Sequence, residues 1–132
     1  MGIWIILIHS TSIPTKMLRI YYKPTCSTCR KALDVIKKQT KEDIEIVEYM
    51  KTKPTEKELK EIVDLIGIKP IDLVRKKEEL YKSNYKDKQL SDSEWLSVLA
   101  AHPELIERPI VVKDGKALIG RPPETVSVLW QA

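Results

Sequence analysis

The chain has 132 residues, 42% of them apolar, and a formal net charge of +4, enough for one domain around a single modest core. No Phe is present, so that core is expected to be Ile, Leu and Val. The positive charge is small and dispersed, which argues against a nucleic-acid-binding stripe and leaves a small anion or an acidic partner as the fitting ligand.

Residues 1–16 open with an apolar run, Ile3 to Ile8, too short to span a bilayer and with no basic residues before it as a secretory signal requires. Three readings of this N-terminal extension stay open: an upstream translation start, an extra edge strand or arm, or a membrane or partner anchor. From Leu18 to Lys23, residues Leu18, Ile20 and Tyr22 alternate with Arg19, Tyr21 and Lys23, the period of a strand. Pro24 and Thr25 stop it. Cys29, Ala32, Leu33 and Ile36 then recur at helical spacing, which predicts a helix from about Ser27 to Gln39, and Ile44 to Tyr49 predicts a second strand.

The stretch from about 52 to 106 reads as a helical insertion. Thr55 and Glu58 form a capping-box pattern ahead of Leu59, Ile62, Val63 and Ile66, and Gly67 ends that helix. Pro70 can start a short helix ending at Arg75. Ser91 and Glu94 repeat the capping box before Trp95, Val98 and Leu99, with Pro103 closing. Beyond it, Ile110 to Lys113 and Lys116 to Ile119 flank Asp114-Gly115, a dipeptide suited to a two-residue hairpin turn. A final helix is expected from about Pro123 to Trp130. The order β-α-β, helices, β-hairpin, α predicts an α/β domain over 17–132 on the thioredoxin plan, with a mixed four-stranded sheet.

The only cysteines, Cys26 and Cys29, form one C-x-x-C. With no disulfide framework and no secretory signal, a reducing, cytoplasmic compartment is expected. Cys26 falls where a strand ends and a helix begins. Free backbone N–H groups and the helix dipole there favour an anion, and Lys23, Arg30 and Lys31 add positive charge. Such surroundings lower a thiol pKa from about 8.5 into a range of roughly 3.5–7.5, so Cys26 is the expected nucleophile. Cys29 is in phase with the apolar face. It is either a resolving thiol or a packed core residue. A zinc site needs four ligands, and only His9 and His102 stand outside the pair, so neither a metal nor a bound cofactor is expected.

Arginine is sparse, at 5 residues against 18 Lys, and its flat fork matches an oxyanion as an ammonium does not. Arg108 and Arg121 each precede a proline. Arg108-Pro109 stands directly before the hairpin, where a thioredoxin-like fold carries a cis-proline facing the reactive cysteine. Arg75 lies in the insertion. All three can turn toward Cys26 or point into solvent.

At PTCSTCRK (24–31), LVRKKEELY (73–81), HPELIERPIVV (102–112) and IGRPPE (119–124) the chain resembles the arsenate reductases that work with glutaredoxin, in the ArsC/Spx family. The resemblance covers nearly everything from Met17 onward. It implies that Cys26 attacks arsenate, that Arg75, Arg108 and Arg121 bind and orient the oxyanion, and that a further thiol completes reduction to arsenite. The expected reductant is external: glutathione with glutaredoxin, or thioredoxin. Two departures stand out. Tyr22 replaces the His four residues before the nucleophile, which shifts thiolate stabilisation onto Arg30 and the helix terminus. Cys29 replaces a non-thiol residue, which permits an internal Cys26–Cys29 disulfide. The same C-x-x-C occurs in Spx-type redox regulators that bind RNA polymerase. Arg121, which the regulators used for comparison lack, favours the enzyme. A general thiol reductase of other specificity is the third reading.

Overall fold

The structure is a computed structural model that describes residues 17–131. The apolar run Ile3 to Ile8 and His9 lie outside the described residues. Four strands, β1 (Leu18–Tyr22), β2 (Glu45–Glu48), β3 (Ile110–Lys113) and β4 (Lys116–Ile119), form one mixed sheet in the order β2-β1-β3-β4. β1 pairs parallel to β2 and antiparallel to β3, and β3 pairs antiparallel to β4. This is the expected α/β fold. Asp114 (φ 47°) and Gly115 (φ 81°) both take the left-handed conformation, as the hairpin turn requires.

The side-chain period of two sorts the central strands onto two faces. On one face Leu18, Ile20 and Val111 meet Ala32, Leu33 and Ile36 of helix α1 (Ser27–Gln39), together with Val126 and Leu129 of the last helix. On the other face Tyr21, Ile110 and Val112 pack beneath the insertion. There they meet Leu59, Ile62 and Val63 of helix α2 (Glu56–Ile66), Trp95 and Leu99 of helix α4 (Asp92–Ala101), and Leu105 and Ile106. Each fully buried aliphatic side chain contributes roughly 1.5–3 kcal/mol of transfer free energy. The alternation in β1 suggests one wet face, yet Tyr21 is 1% exposed because the insertion covers it.

Local signals act mostly as expected. Gly67 ends α2 at φ 85°. Ser91 and Glu94 complete a reciprocal capping box at α4. At α2 only half the box forms. The Thr55 hydroxyl accepts from the Glu58 N–H at 3.1 Å, but the Glu58 carboxylate accepts from the Tyr21 hydroxyl and pairs with Arg19 at 3.5 Å. Arg19 also bonds Glu45 at 2.9 Å, so this network joins β1, β2 and α2.

Three expectations need revision. Pro70–Leu73 is a 3-10 turn that stops before Val74, so Arg75 does not end a helix. Its N–H instead donates to Leu105 O at 2.6 Å, next to a Val74–Ile106 bridge. Pro123–Trp130 is a 3-10 helix rather than an α-helix. A short helix α3 (Glu79–Asn84), which the sequence reading leaves out, follows Arg75.

Candidate active site

Strand register assembles the site. Tyr22 pairs with Glu48 across the parallel ladder, and Tyr21 pairs with Ile110 across the antiparallel one. The cysteine loop after β1, Tyr49 after β2 and Arg108-Pro109 before β3 therefore emerge at the same end of the sheet.

Cys26 is the N-cap of α1, with φ −92° and ψ 118°. No acidic residue occupies the first turn, so nothing there neutralises the positive end of the helix dipole. The Cys26 N–H donates to Lys23 O at 2.9 Å and fixes the turn. Cys26 is half-buried and Cys29 fully buried, both as free thiols. Burial pushes the Cys26 thiol up. The Cys29 backbone N–H, the Cys29 side chain and the Arg108 guanidinium outweigh it and bring the thiol down to about 7. Burial and the adjacent Cys26 sulfur push Cys29 up to about 11. The two thiols are thus set apart: Cys26 ionises readily, whereas Cys29 keeps its proton.

Arg108 is the cation beside the sulfur. It is 7% exposed, the sole buried charged side chain among the described residues. Burial works against its charge, but the Tyr49 hydroxyl and the Cys26 sulfur more than offset that. Its Nε and Nη1 are buried with no hydrogen-bond acceptor among the described residues. Arg30 does not take the part expected of it. Its Nη1 donates to Pro24 O at 2.7 Å on the exposed side of the loop, which braces the turn rather than the sulfur.

The Arg108-Pro109 bond is cis, as expected for this position, and the Arg121-Pro122 bond is cis as well. Arg121 Nε and Nη2 donate to Arg108 O at 3.3 and 3.1 Å. Arg75 and Arg121 line one pocket of about 250 Å³ with Lys76, Lys77, Glu107, Asp72 and Val74. Arg75 Nη1 also forms an ion pair with Glu78. The structure therefore joins Arg108 to Cys26, Arg121 to Arg108, and Arg75 to Arg121 through that pocket. Cys26 does not line the pocket. Sequence reading passed over Tyr49, whose position depends on the β1–β2 register, and Glu78, which lies within a segment noted only for its Arg75.

No group of three or more His, Cys, Asp or Glu able to hold a metal occurs among the described residues. No helix among them is long and apolar enough to cross a membrane.

Comparison with known proteins fits this geometry. The chain is 40% identical over 114 residues to the uncharacterized protein YfgD of Escherichia coli, covering 85% of this chain and 95% of that one. It is 40% identical over 109 residues to an arsenate reductase of Haemophilus influenzae, covering 81% and 93%. The solved arsenate reductase from Vibrio cholerae superposes with a TM-score of 0.80 at 40% identity, over 86% of this chain and 98% of that one. With residues 21–129 matching its description, the chain belongs to the ArsC family.

Proposed function

We propose that this protein reduces arsenate to arsenite in a thiol-dependent cycle with Cys26 as nucleophile. The observation that carries the reading is the placement of Cys26 at a helix mouth beside the buried Arg108, surroundings that draw its thiol down to about 7. The neighbouring pocket, with its two further arginines, supplies room and charge for an oxyanion. Similarity to proteins named arsenate reductase supports arsenate among the oxyanions.

In the first step the Cys26 thiolate attacks arsenic(V), an S–As bond forms, and one oxygen leaves as water after protonation. Thiolate and arsenate are both anions. Positive charge held in place before they meet is the main contribution expected of the protein, and Arg108, Arg121 and Arg75 provide it. A second thiol then attacks the Cys26 sulfur. The S–As bond breaks with its electron pair on arsenic, arsenite leaves as arsenic(III), and a disulfide remains. Two thiols thus supply the two electrons. Cys29 is the candidate for the second thiol, with glutathione and glutaredoxin, or thioredoxin, as external donor. Arg121 in the pocket supports an oxyanion enzyme over a redox-switched regulator of RNA polymerase.

The test is arsenate turnover with each donor system in turn. Wild-type protein should turn over with at least one of them, and Cys26→Ser should lose activity with both. Turnover retained by the serine variant overturns the assignment of the nucleophile.

A further inference from the structure

Tyr49 is not explained by the chemistry above. It follows the edge strand β2 and is 1% exposed, and its hydroxyl is buried with no hydrogen-bond partner of full geometry among the described residues. A lone buried hydroxyl costs about 1–3 kcal/mol, so a phenol kept in this place calls for a reason. The cluster it belongs to provides one. The hydroxyl lies against the Arg108 guanidinium, whose Nε and Nη1 also lack acceptors. It is near enough to both sulfurs to feel their charge.

The donor and acceptor inventory allows one arrangement that satisfies this group. A guanidinium only donates, a thiolate only accepts, and a phenol does both. The Tyr49 oxygen can accept from Arg108 while its proton points to the sulfur side. A neutral thiol is a weak acceptor and leaves that chain incomplete. Ionisation of Cys26 supplies the missing acceptor.

We infer that Tyr49 is a positioning residue for this site: its hydroxyl bridges the buried Arg108 fork and the thiol pair, and so holds the guanidinium against Cys26 once the sulfur is ionised. Burial pushes the phenol up to about 12 despite Arg108, so it keeps the proton the bridge requires while Cys26 is an anion. A phenyl ring in its place would leave the inner edge of the fork facing hydrocarbon, and the guanidinium would turn away from the sulfur.

The inference draws on the arsenate reading only for the substrate, so its decisive readout uses none. In the full chain, the pH dependence of Cys26 alkylation by iodoacetamide is followed by peptide mass analysis for wild type, Tyr49→Phe, Arg108→Gln and the double variant. Tyr49→Phe should raise the alkylation midpoint by about half a pH unit or more, with the melting temperature recorded alongside. In the Arg108→Gln background the same change should do little, because the group it positions has gone. If the phenylalanine variant folds poorly, Tyr49→His, which can also accept and donate, should restore the lower midpoint. A midpoint in Tyr49→Phe that is unchanged or lower, or an equal shift with and without Arg108, overturns the inference. Failure of arsenate turnover with these thiol shifts intact would count against the substrate alone.

Discussion

Removal of the Arg108 charge is the most direct test of how the site makes a thiolate. At pH 7 a thiol of pKa about 7 is about half ionised, whereas one at the ordinary value of about 8.5 is only about 3% ionised. Arg108 acts on the Cys26 sulfur both as a hydrogen-bond donor and as a charge, but the Cys29 N–H acts on it too and stays in place. Arg108→Gln should therefore recover part of the difference and move the midpoint to about 8. The thiolate fraction at pH 7 then drops to about a tenth, and alkylation slows about fivefold. The higher intrinsic nucleophilicity of a more basic thiolate softens that slightly. The sign is that of any acid losing a nearby cation: ionisation needs a higher pH, and the reaction rate rises later on the pH axis.

The assay is a pH–rate profile for Cys26 alkylation, with thiolate absorbance near 240 nm as a second probe. Arg30→Gln is the control, since Arg30 is engaged by Pro24 O on the exposed side of the loop. Its profile should overlay that of wild type. A midpoint that stays at about 7 in Arg108→Gln, or that moves as far in Arg30→Gln, refutes the view that Arg108 is the relevant cation.

Three other predictions test the remaining parts. Cys29→Ser should abolish turnover with thioredoxin, which needs the internal disulfide, while leaving glutathione-dependent turnover within about threefold; equal activity with both donors would reduce Cys29 to packing. Arg121→Lys keeps the charge but loses the paired bonds to Arg108 O, so kcat/KM for arsenate should fall at least about tenfold, and steady-state kinetics at fixed donor would show it. Gly120→Ala should destabilise the fold by about 1–3 kcal/mol in urea unfolding, because an added Cβ would meet Val126 Cγ2 at 2.9 Å and Pro109 Cγ at 3.1 Å.

Much of the fold was legible because local chemistry and long-range packing agree. The ends of α1, the Ser91–Glu94 box, Gly67 and the Asp114-Gly115 turn each carry their signal within a few residues. Cys29 was placed on the buried face by its spacing to Ala32 and Ile36 alone. What escaped depends on partners distant in sequence. Glu58 reads as half of a capping box until Tyr21 and Arg19, more than thirty residues away, claim its carboxylate. Arg30 stands next to the nucleophile's helix turn and looks like its counterion, yet its reach ends on Pro24 O. Arg108, remote in sequence, arrives through the antiparallel register. Tyr49 arrives through the parallel one, and no motif announces either juxtaposition.

The three arginines are held in different ways, and this bears on how the proposed reaction would bring two anions to one site. A guanidinium fully occupied by the thiolate has little left for arsenate, while one wholly free in a pocket is mobile and hydrated. Arg108 faces the sulfur from a buried position. Arg121 spends two N–H groups on Arg108 O, which ties its orientation to the residue that holds the sulfur, and still lines the pocket. Arg75 is steadied by Glu78 and by its backbone bond to Leu105 O on the segment leading to Arg108. Charge fixed by backbone and side-chain bonds needs no rearrangement when the substrate arrives, which is where electrostatic stabilisation is most effective. In the proposed reaction arsenate would meet, at Arg75, a guanidinium already held in place by the Glu78 carboxylate.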